Sequence, residues 1–346
     1  MTCVIQIVPE LAPETGGVAD HAQLLKTALE KHGYETLFLA PQRQGRSQRK
    51  DLQEMDQDAA ALVAALKDAV PAMRPKAIVL HYVGYGFEKR GCPSWLVKGL
   101  ERCKQIVPLI TIFHELYVSG PPWTTRFWLT PRQKNLVRRV SRLSMNCLVS
   151  SDAALKTLCR IDVTVSERSR VVPSPSSFGE PDRESWPRER KRQAVVLGLP
   201  PLRRRVYNSG GVVLARFCTQ AGIEEVHDIG PPVKPIPASL EGVPVHAHGI
   251  LAAEAISKFL LESRVLFTSY PGEYAAKSTI IAAGMAHGCA IFNCTEAEAA
   301  HDGWSVWQPA NWDGRNCREV GEAGYELYHQ RRNWSVVAEA IMTYLS

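Results

Sequence analysis

Short apolar runs alternate with segments of helical period along most of this chain. "CVIQIVP" near the start reads as a strand, and the following "QLLKTALEKHG" as part of a helix over roughly 18–32 that Gly33 stops. "YETLFLAP" predicts a second strand, "QDAAALVAALKD" an amphipathic helix and "KAIVLHYV" a third strand. Helices near 94–105 and 131–142 precede the strands "VPLITIFHE" and "NCLVSS"; "DAALKTLCR" is helical and "SRVVPSPSS" closes this half. Strands that are apolar throughout, separated by helices, predict a parallel sheet covered on both faces.

The pattern then breaks. "GEPDRESWPRERKRQ", residues 179–193, is polar, charged and nearly free of aliphatics. It predicts an interdomain linker, although a solvated loop inside one domain has the same composition. After it the alternation restarts. "AVVLGL", "GVVLARF", "PVHAHG", "SRVLFTSYP" and "CAIFNC" read as strands, "RRRVYNSG" as the start of a helix or turn, and "LAAEAISKFLLE" and "KSTIIAAGMAHG" as helices. "RNWSVVAEAIMTYLS" is a closing amphipathic helix. The expectation is an α/β chain with a first domain over 1–178, a linker over 179–193, a second domain over 194–330 and a closing helix over 331–346.

Composition narrows the function. A chain of 346 residues can build two cores of ordinary size. Its net charge of +6 suits an anionic substrate or an acidic membrane surface, and is too weak to point to nucleic acid. The nine cysteines include no C-x-x-C pair and no spacing typical of a zinc site, so reduced thiols in a cytoplasmic protein are expected. No signal peptide is read at the start, and no apolar stretch approaches the length of a membrane span.

"PETGGVADHAQLL" places two adjacent glycines between the first strand and the first helix. A dinucleotide site needs G-x-G-x-x-G there and an acidic residue ending the second strand. "TGGVAD" lacks the spacing and "FLAPQRQ" lacks the carboxylate, so a nicotinamide cofactor is not expected. Gly16 and Gly17 still allow a backbone to approach a ligand at a helix start; tight strand–helix packing would use them equally well. His21, one turn into that helix, reads as a core residue when taken alone.

Several segments together are similar to the retaining GT-B glycosyltransferases of the group 1, family 4-like type. "PETGGVADHAQLLKTALEKHGYET" resembles their opening, a Gly-Gly loop leading into a helix that ends in "G-(H/Y)-E". "LITIFHELY" looks like their strand ending in His and an acidic residue. "VHAHGILAAEAISKFLLESRVLFTSYPGEY" and "AAGMAHGCAIFN" resemble the donor-domain run of strands and helices, and "NWSVVAEAIMTYL" resembles the closing helix.

The resemblance implies two Rossmann-like domains facing a central cleft, the N-terminal one for acceptor and the C-terminal one for donor, with the last helix packing back on the first domain. It implies transfer of a hexosyl group from a nucleotide-diphosphate sugar to a glycan or lipid-linked acceptor, as in polysaccharide biosynthesis, with retention. The location implied is the cytoplasm, with peripheral contact at the inner face of the membrane. Two glutamates that bracket the donor in many such enzymes fall here at Ala275 and Ala283, with Glu273 two residues before the first. That departure keeps two alternatives open: a catalytically silent partner or scaffold of this fold, and a sugar-nucleotide epimerase.

Glycosyl transfer builds negative charge on the leaving diphosphate, which cations and N–H donors must meet. No D-x-D pair and no carboxylate cluster is read as a metal site, so no metal and no other cofactor is expected, and a metal-free site needs basic residues instead. Arg203, Arg204 and Arg205 follow the strand-end Gly198, and guanidinium groups suit phosphate oxygens. Lys277 and Ser278 open a helix after a strand, where the dipole also favours an anion. Gly249 ends another strand on the donor side. By resemblance His114 and Glu273 are the catalytic candidates and Glu115 stands near the acceptor; Gly16, Gly17 and His21 complete the sugar-facing group. Tyr82, in "HYVGYGF", offers a ring for stacking on a sugar. Each has a plainer reading as well: a solvated basic patch, a first-turn lysine, a packed aromatic turn. "TTRFWLTPRQKNLVRRVSRL", 124–143, interleaves aromatics with basic residues and suits a membrane surface or a charged, packed helix face.

Overall fold

A computed structural model describes residues 2–11, 17–42, 49–103, 106–270, 272–294, 306–307 and 316–345. The chain divides into two compact units: Met1–Val172 together with Val337–Ser346, and Pro173–Val336.

In the first unit the apolar runs become β1 (Thr2–Ile7), β2 (Tyr34–Pro41), β3 (Leu52–Met55), β4 (Ala77–Tyr82), β5 (Leu109–Phe113), β6 (Asn146–Val149) and β7 (Ser169–Val171). Among the described residues they form one sheet in the order β3-β2-β1-β4-β5-β6-β7, parallel throughout. Every residue of β4 and β5 is buried, as expected of strands covered on both faces. Helix Gly17–Glu30 returns the chain from β1 to β2, and Gly33, at φ +81°, makes the left-handed turn after it. Helix Ala59–Met73 starts at Asp58, whose carboxylate accepts from the Ala60 and Ala61 amides. The strand order reverses between β1 and β4, and the crevice at the C-terminal edge beside such a reversal is where open α/β sheets hold ligands.

The second unit repeats the plan. Its strands are β8 (Lys191–Leu197), β9 (Glu225–Ile229), β10 (Ser239–Leu240), β11 (Val243–Gly249), β12 (Ser263–Thr268), β13 (Ala290–Asn293) and β14 (Val306–Trp307). Their order is β10-β11-β9-β8-β12-β13-β14, with only β10–β11 antiparallel among the described pairs. The reversal lies between β8 and β12.

Besides elements that the sequence reading lacks, such as β3 and the helix Cys317–Arg331, two differ from it in kind or place. "GVVLARF", expected as a strand, is the second half of the helix Pro200–Ala221. The buried Val206, Tyr207, Leu214, Phe217 and Cys218 recur at helical spacing, while its glycines and valines imitate a strand locally. The strand taking its place is β9, "EVHDI", whose polar His227 and Asp228 are both buried.

Residues 179–193 belong to the second unit. Trp186 packs edge-on to Tyr325 at 4.9 Å, under the Arg190 guanidinium at 4.7 Å. Arg190 donates to the carbonyls of Leu260, Ser263 and His287. Its donors thus reach carbonyls at the C-terminal ends of the helices Ala253–Glu262 and Thr279–Ala286.

Candidate functional site

The two sheets each present a C-terminal edge with its own chemistry. In the first unit that edge carries histidines. His21 points inward from helix Gly17–Glu30, His81 is the fifth residue of β4, and His114 follows β5 directly. The His114 amide donates to the Tyr82 carbonyl at 3.0 Å, which continues the ladder one step past the strand. His81 and Gln6 of β1 are fully buried, and His21 nearly so. His81 Nε2 lies 2.7 Å from Gln6 Oε1, and His81 Nδ1 lies 3.1 Å from His114 Nε2. With the amide oxygen of Gln6 accepting, His81 Nε2 carries its hydrogen, and Nδ1 then accepts from His114 Nε2–H. This leaves the lone pair of His114 on Nδ1. Burial, and secondly the neighbouring His21, hold His81 well below the ordinary imidazole range. Burial alone lowers His21 to about 4. Both rings are neutral at pH 7.

One nitrogen from each of the three histidines falls within a 4.8 Å group, which puts divalent metal binding on the list of possible roles. The ring geometry favours a hydrogen-bonded chain. His81 and His114 are within 13° of coplanar with centroids 5.3 Å apart, so a 3.1 Å N···N contact runs nearly along the line joining the rings. Metal ligands must instead converge their lone pairs on one point. No zinc-like spacing flags this cluster in the sequence, because 60 and 33 residues separate its members.

One D-x-D spacing does occur, Asp56-Gln57-Asp58. Asp58 is the helix cap described above, its Oδ1 accepting from Ala60 N at 2.6 Å and Ala61 N at 3.1 Å. This pair reads as a helix start.

The second unit's edge is built from glycines. Gly198 ends β8 at φ +129°, Gly230 follows β9 at φ +142° and Gly249 ends β11 at φ +72°. The Gly198 amide donates to Ile229 O at 3.2 Å, and the Gly230 amide to Gly249 O at 2.8 Å. A Cβ on Gly230 would run into the Gly198 carbonyl oxygen. Three strand ends therefore pack backbone to backbone. Gly198 and Gly249 were singled out from sequence; Gly230 was not, although "IGPP" after a strand is a usable turn signal.

Beside them, the 3-10 turn Gly272–Lys277 contains Glu273 and leads into helix Thr279–Ala286. Ser278 is the buried cap of that helix and accepts from the Ile281 amide at 3.2 Å. Lys277 is half-buried at the turn's end. Sequence reasoning missed what holds the turn. Arg332, fully buried, donates from Nη2 to the carbonyls of Ala275, Ala276 and Ser278 at 2.8–3.0 Å and from Nε to Ser174 O at 2.7 Å. The Ser174 amide donates to Ala276 O. Ala275 and Ala283 are both buried, and Ala283 sits in the core with Ile281 and Met285.

Two expected site residues turn inward, which corrects the sequence reading. Arg203, expected at a phosphate, is buried; it ion-pairs with Asp228 and donates to the Pro231 carbonyl. Tyr207 donates to the other Asp228 oxygen at 2.9 Å. A buried carboxylate on β9 captures the guanidinium because both charges need a partner away from water. Arg204 and Arg205 are exposed. Tyr82 packs in the first core, edge-on to Phe113 at 5.4 Å, and offers no ring face to a sugar. Of the other acceptor-side residues, Glu115 is half-buried next to His114, Gly17 starts its helix with open space at its Cβ position, and Gly16 lies outside the described residues.

The second unit also gathers histidines that were not expected: His227 Nδ1 lies 2.9 Å from His248 Nε2, beside Gly249. Burial lowers His227, against the opposing pull of Glu225.

No known protein-family profile matches the chain, and no curated protein matches it in sequence. Solved structures do match along its whole length. An alpha-glucosyltransferase in complex with UDP-glucose and DNA containing an abasic site is 10% identical, with a TM-score of 0.62 over 100% of this chain and 99% of that one. A UDP-GlcNAc 2-epimerase from Neisseria meningitidis, bound to UDP-GlcNAc, is 12% identical at TM-score 0.58 over 100% and 99%. A glycosyltransferase from Rickettsia africae is 10% identical at TM-score 0.57 over 99% and 97%. At such identities the likeness speaks for the fold, and the fold of this chain is that of the GT-B glycosyltransferases and UDP-GlcNAc 2-epimerases.

Proposed function

We propose that this protein uses a nucleotide-diphosphate sugar and transfers its hexosyl group, with retention and without a metal, to a glycan or lipid-linked acceptor. The observation that carries the reading is the second unit's edge. Gly249 leaves open space at a strand end, and the Arg332-held turn delivers Lys277 and the N-terminus of helix Thr279–Ala286 to one place. An anion there meets an ammonium and free amides together. Arg204, exposed where Arg203 is buried, is the guanidinium assigned to the diphosphate.

In the first unit, His114 and Glu115 serve the sugar hydroxyls. The bond from the anomeric carbon to the phosphate oxygen breaks and a bond to the acceptor oxygen forms on the same face. The acceptor's proton passes to the departing phosphate oxygen, so no protein nucleophile is needed. Glu273 is the carboxylate assigned, by the resemblance, to the developing positive charge. A second reading, epimerisation of the nucleotide sugar, is favoured by the fold shared with the Neisseria meningitidis epimerase; a silent partner protein is favoured by Ala275 and Ala283.

The test is a thermal-shift series with UDP, GDP, ADP, CMP and their sugar conjugates in chelator, repeated on Lys277→Ala. Stabilisation by one diphosphate family, weakened about tenfold or more in apparent affinity by the substitution, is expected. No shift with any of them leaves the silent partner. Where a nucleotide does bind, sugar release that needs an acceptor marks a transferase, and conversion of the donor without one marks an epimerase.

A further inference from the structure

The polar segment 179–193 does more than connect. Its end, "WPRERKR", carries four basic residues and one acid in seven positions. Two of the four meet carboxylates at the start of the sheet: Lys191 pairs with Glu262 at 2.6 Å and Arg192 with Glu224 at 2.9 Å. Arg190 donates to the carbonyls described above. Among the described residues no ion pair involves Arg188.

Two further arginines reach this segment from other elements. Arg264 is the second residue of β12, and its Nε donates to the Arg190 carbonyl at 3.3 Å. Arg318 is the second residue of the helix Cys317–Arg331, and its Nη1 donates to the Arg188 carbonyl at 3.3 Å. Between them lies a cavity of about 510 Å³, lined by Trp186, Arg188, Glu189, Arg190, Arg264 and Arg318 together with the end of helix Pro200–Ala221. Four arginines meet one carboxylate there. Glu189 competes weakly, because it is 85% exposed and stands 3.6 Å from Arg264, beyond hydrogen-bond distance. A guanidinium has five N–H donors. The bonds named here and the Arg318 bond to Glu322 use one on Arg264 and two on Arg318. Crowded cations repel one another: burial lowers Arg190, and the nearby Arg318 lowers it further.

We propose that this cavity binds a small phosphorylated anion, either free pyrophosphate or the phosphates of a nucleotide, on Arg188, Arg264 and Arg318. Guanidinium forks match phosphate oxygens two at a time, and several together fix a ligand's orientation. The volume lies within the range of small-molecule sites, roughly 300–1,000 Å³. An extended polyanion would need basic surface running on past the cleft, and there Glu224 and Glu262 stand instead. The cavity opens where β8 and β12 begin, whereas the turn carrying Lys277 lies past the other end of the sheet. The seven residues of β8 put roughly 20 Å between the two. This inference and the reading of the C-terminal edge therefore stand or fall separately.

The experiment is hydrogen–deuterium exchange of the full chain with pyrophosphate as the probe, in buffer with chelator. Slower exchange is expected at 188–190 and 317–320, and is expected to persist in Lys277→Ala. In calorimetry with the same probe, Arg188→Gln combined with Arg318→Gln, both at exposed positions, is expected to weaken binding about tenfold. Tricarballylate, a trianion of carboxylates, is expected to bind about tenfold more weakly than pyrophosphate. Tighter binding of UDP than of pyrophosphate at these segments identifies the ligand as a nucleotide; equal binding identifies the phosphate groups alone. The proposal is overturned by protection confined to 275–281, by loss of all binding in Lys277→Ala, or by no binding at all. Affinity untouched by the arginine substitutions, or tricarballylate binding as well as pyrophosphate, overturns it too.

Discussion

Apart from the antiparallel β10–β11 pair at the edge of the second, the two sheets share one strand order, yet their C-terminal edges are made of different materials. The first unit's edge is made of side chains: Gln6, His81, His114 and His21 in contact, with His81 and His21 kept uncharged by burial. The second unit's edge is made of backbone: Gly198, Gly230 and Gly249 packed together, and a turn whose carbonyls are gathered by one buried arginine. Neutral rings suit hydroxyl groups, which exchange hydrogen bonds without needing a counter-charge. Amides, a helix start and a lysine suit a diphosphate. The same topology can therefore specialise its edge by choosing which part of the residue faces the ligand.

The contrast can be broken at several points. Arg332→Met carries the largest expected effect, because it takes a side-chain donor from four carbonyls at once, of which those of Ala275, Ala276 and Ser278 keep only a backbone amide. A loss of roughly 4 kcal/mol in urea unfolding is expected, together with loss of the nucleotide-induced thermal shift. A variant that is destabilised but still binds nucleotide normally would remove the arginine from the edge's design.

Gly230→Ala comes next. It combines a left-handed backbone with overlap on the Gly198 carbonyl, and roughly 3 kcal/mol is expected.

The first edge should respond to acid. An imidazole lowered from 6.5 to about 4 binds fewer protons folded than unfolded between those values. Its contribution is complete above the ordinary value and is lost as pH falls toward 4. For His21 the loss between pH 6.5 and pH 5 is roughly 2 kcal/mol, read as the difference between urea midpoints at the two pH values. His21→Asn should shrink that difference by the same amount. His287 of the second unit is also held at about 4 by burial; if the substitution changes nothing, the acid response belongs there and the contrast fails. The smallest effect is expected at Gly17→Ala, within about 0.5 kcal/mol, since a Cβ there meets open space. A weakening of sugar binding without any change in stability would show that the space belongs to a ligand.

These elements also differ in how much of them the sequence reveals. The apolar strands β4 and β5 and the helix Ala59–Met73 are legible because burial on a fixed period leaves a local trace. β9 is not, since its buried His227 and Asp228 are tolerated only through His248, Arg203 and Tyr207, from other elements. Arg203 was misjudged for the same reason: an arginine after a strand-end glycine looks the same whether it awaits a phosphate or is captured by Asp228. The histidine chain was hidden by separation along the sequence, with Gln6 and His114 more than a hundred residues apart. The helix start at Ser278 is legible because such a start announces itself within four residues, while its support at residue 332 left no local mark.

That support has a consequence for biosynthesis. A nascent chain emerging from the ribosome exposes the segment 275–278 more than fifty residues before Arg332 is made. Until then the turn has only its backbone hydrogen bonds and lacks its side-chain anchor. This turn is thus among the last parts of the second unit to gain its full set of hydrogen bonds, although its own residues are made well before the unit ends at Val336.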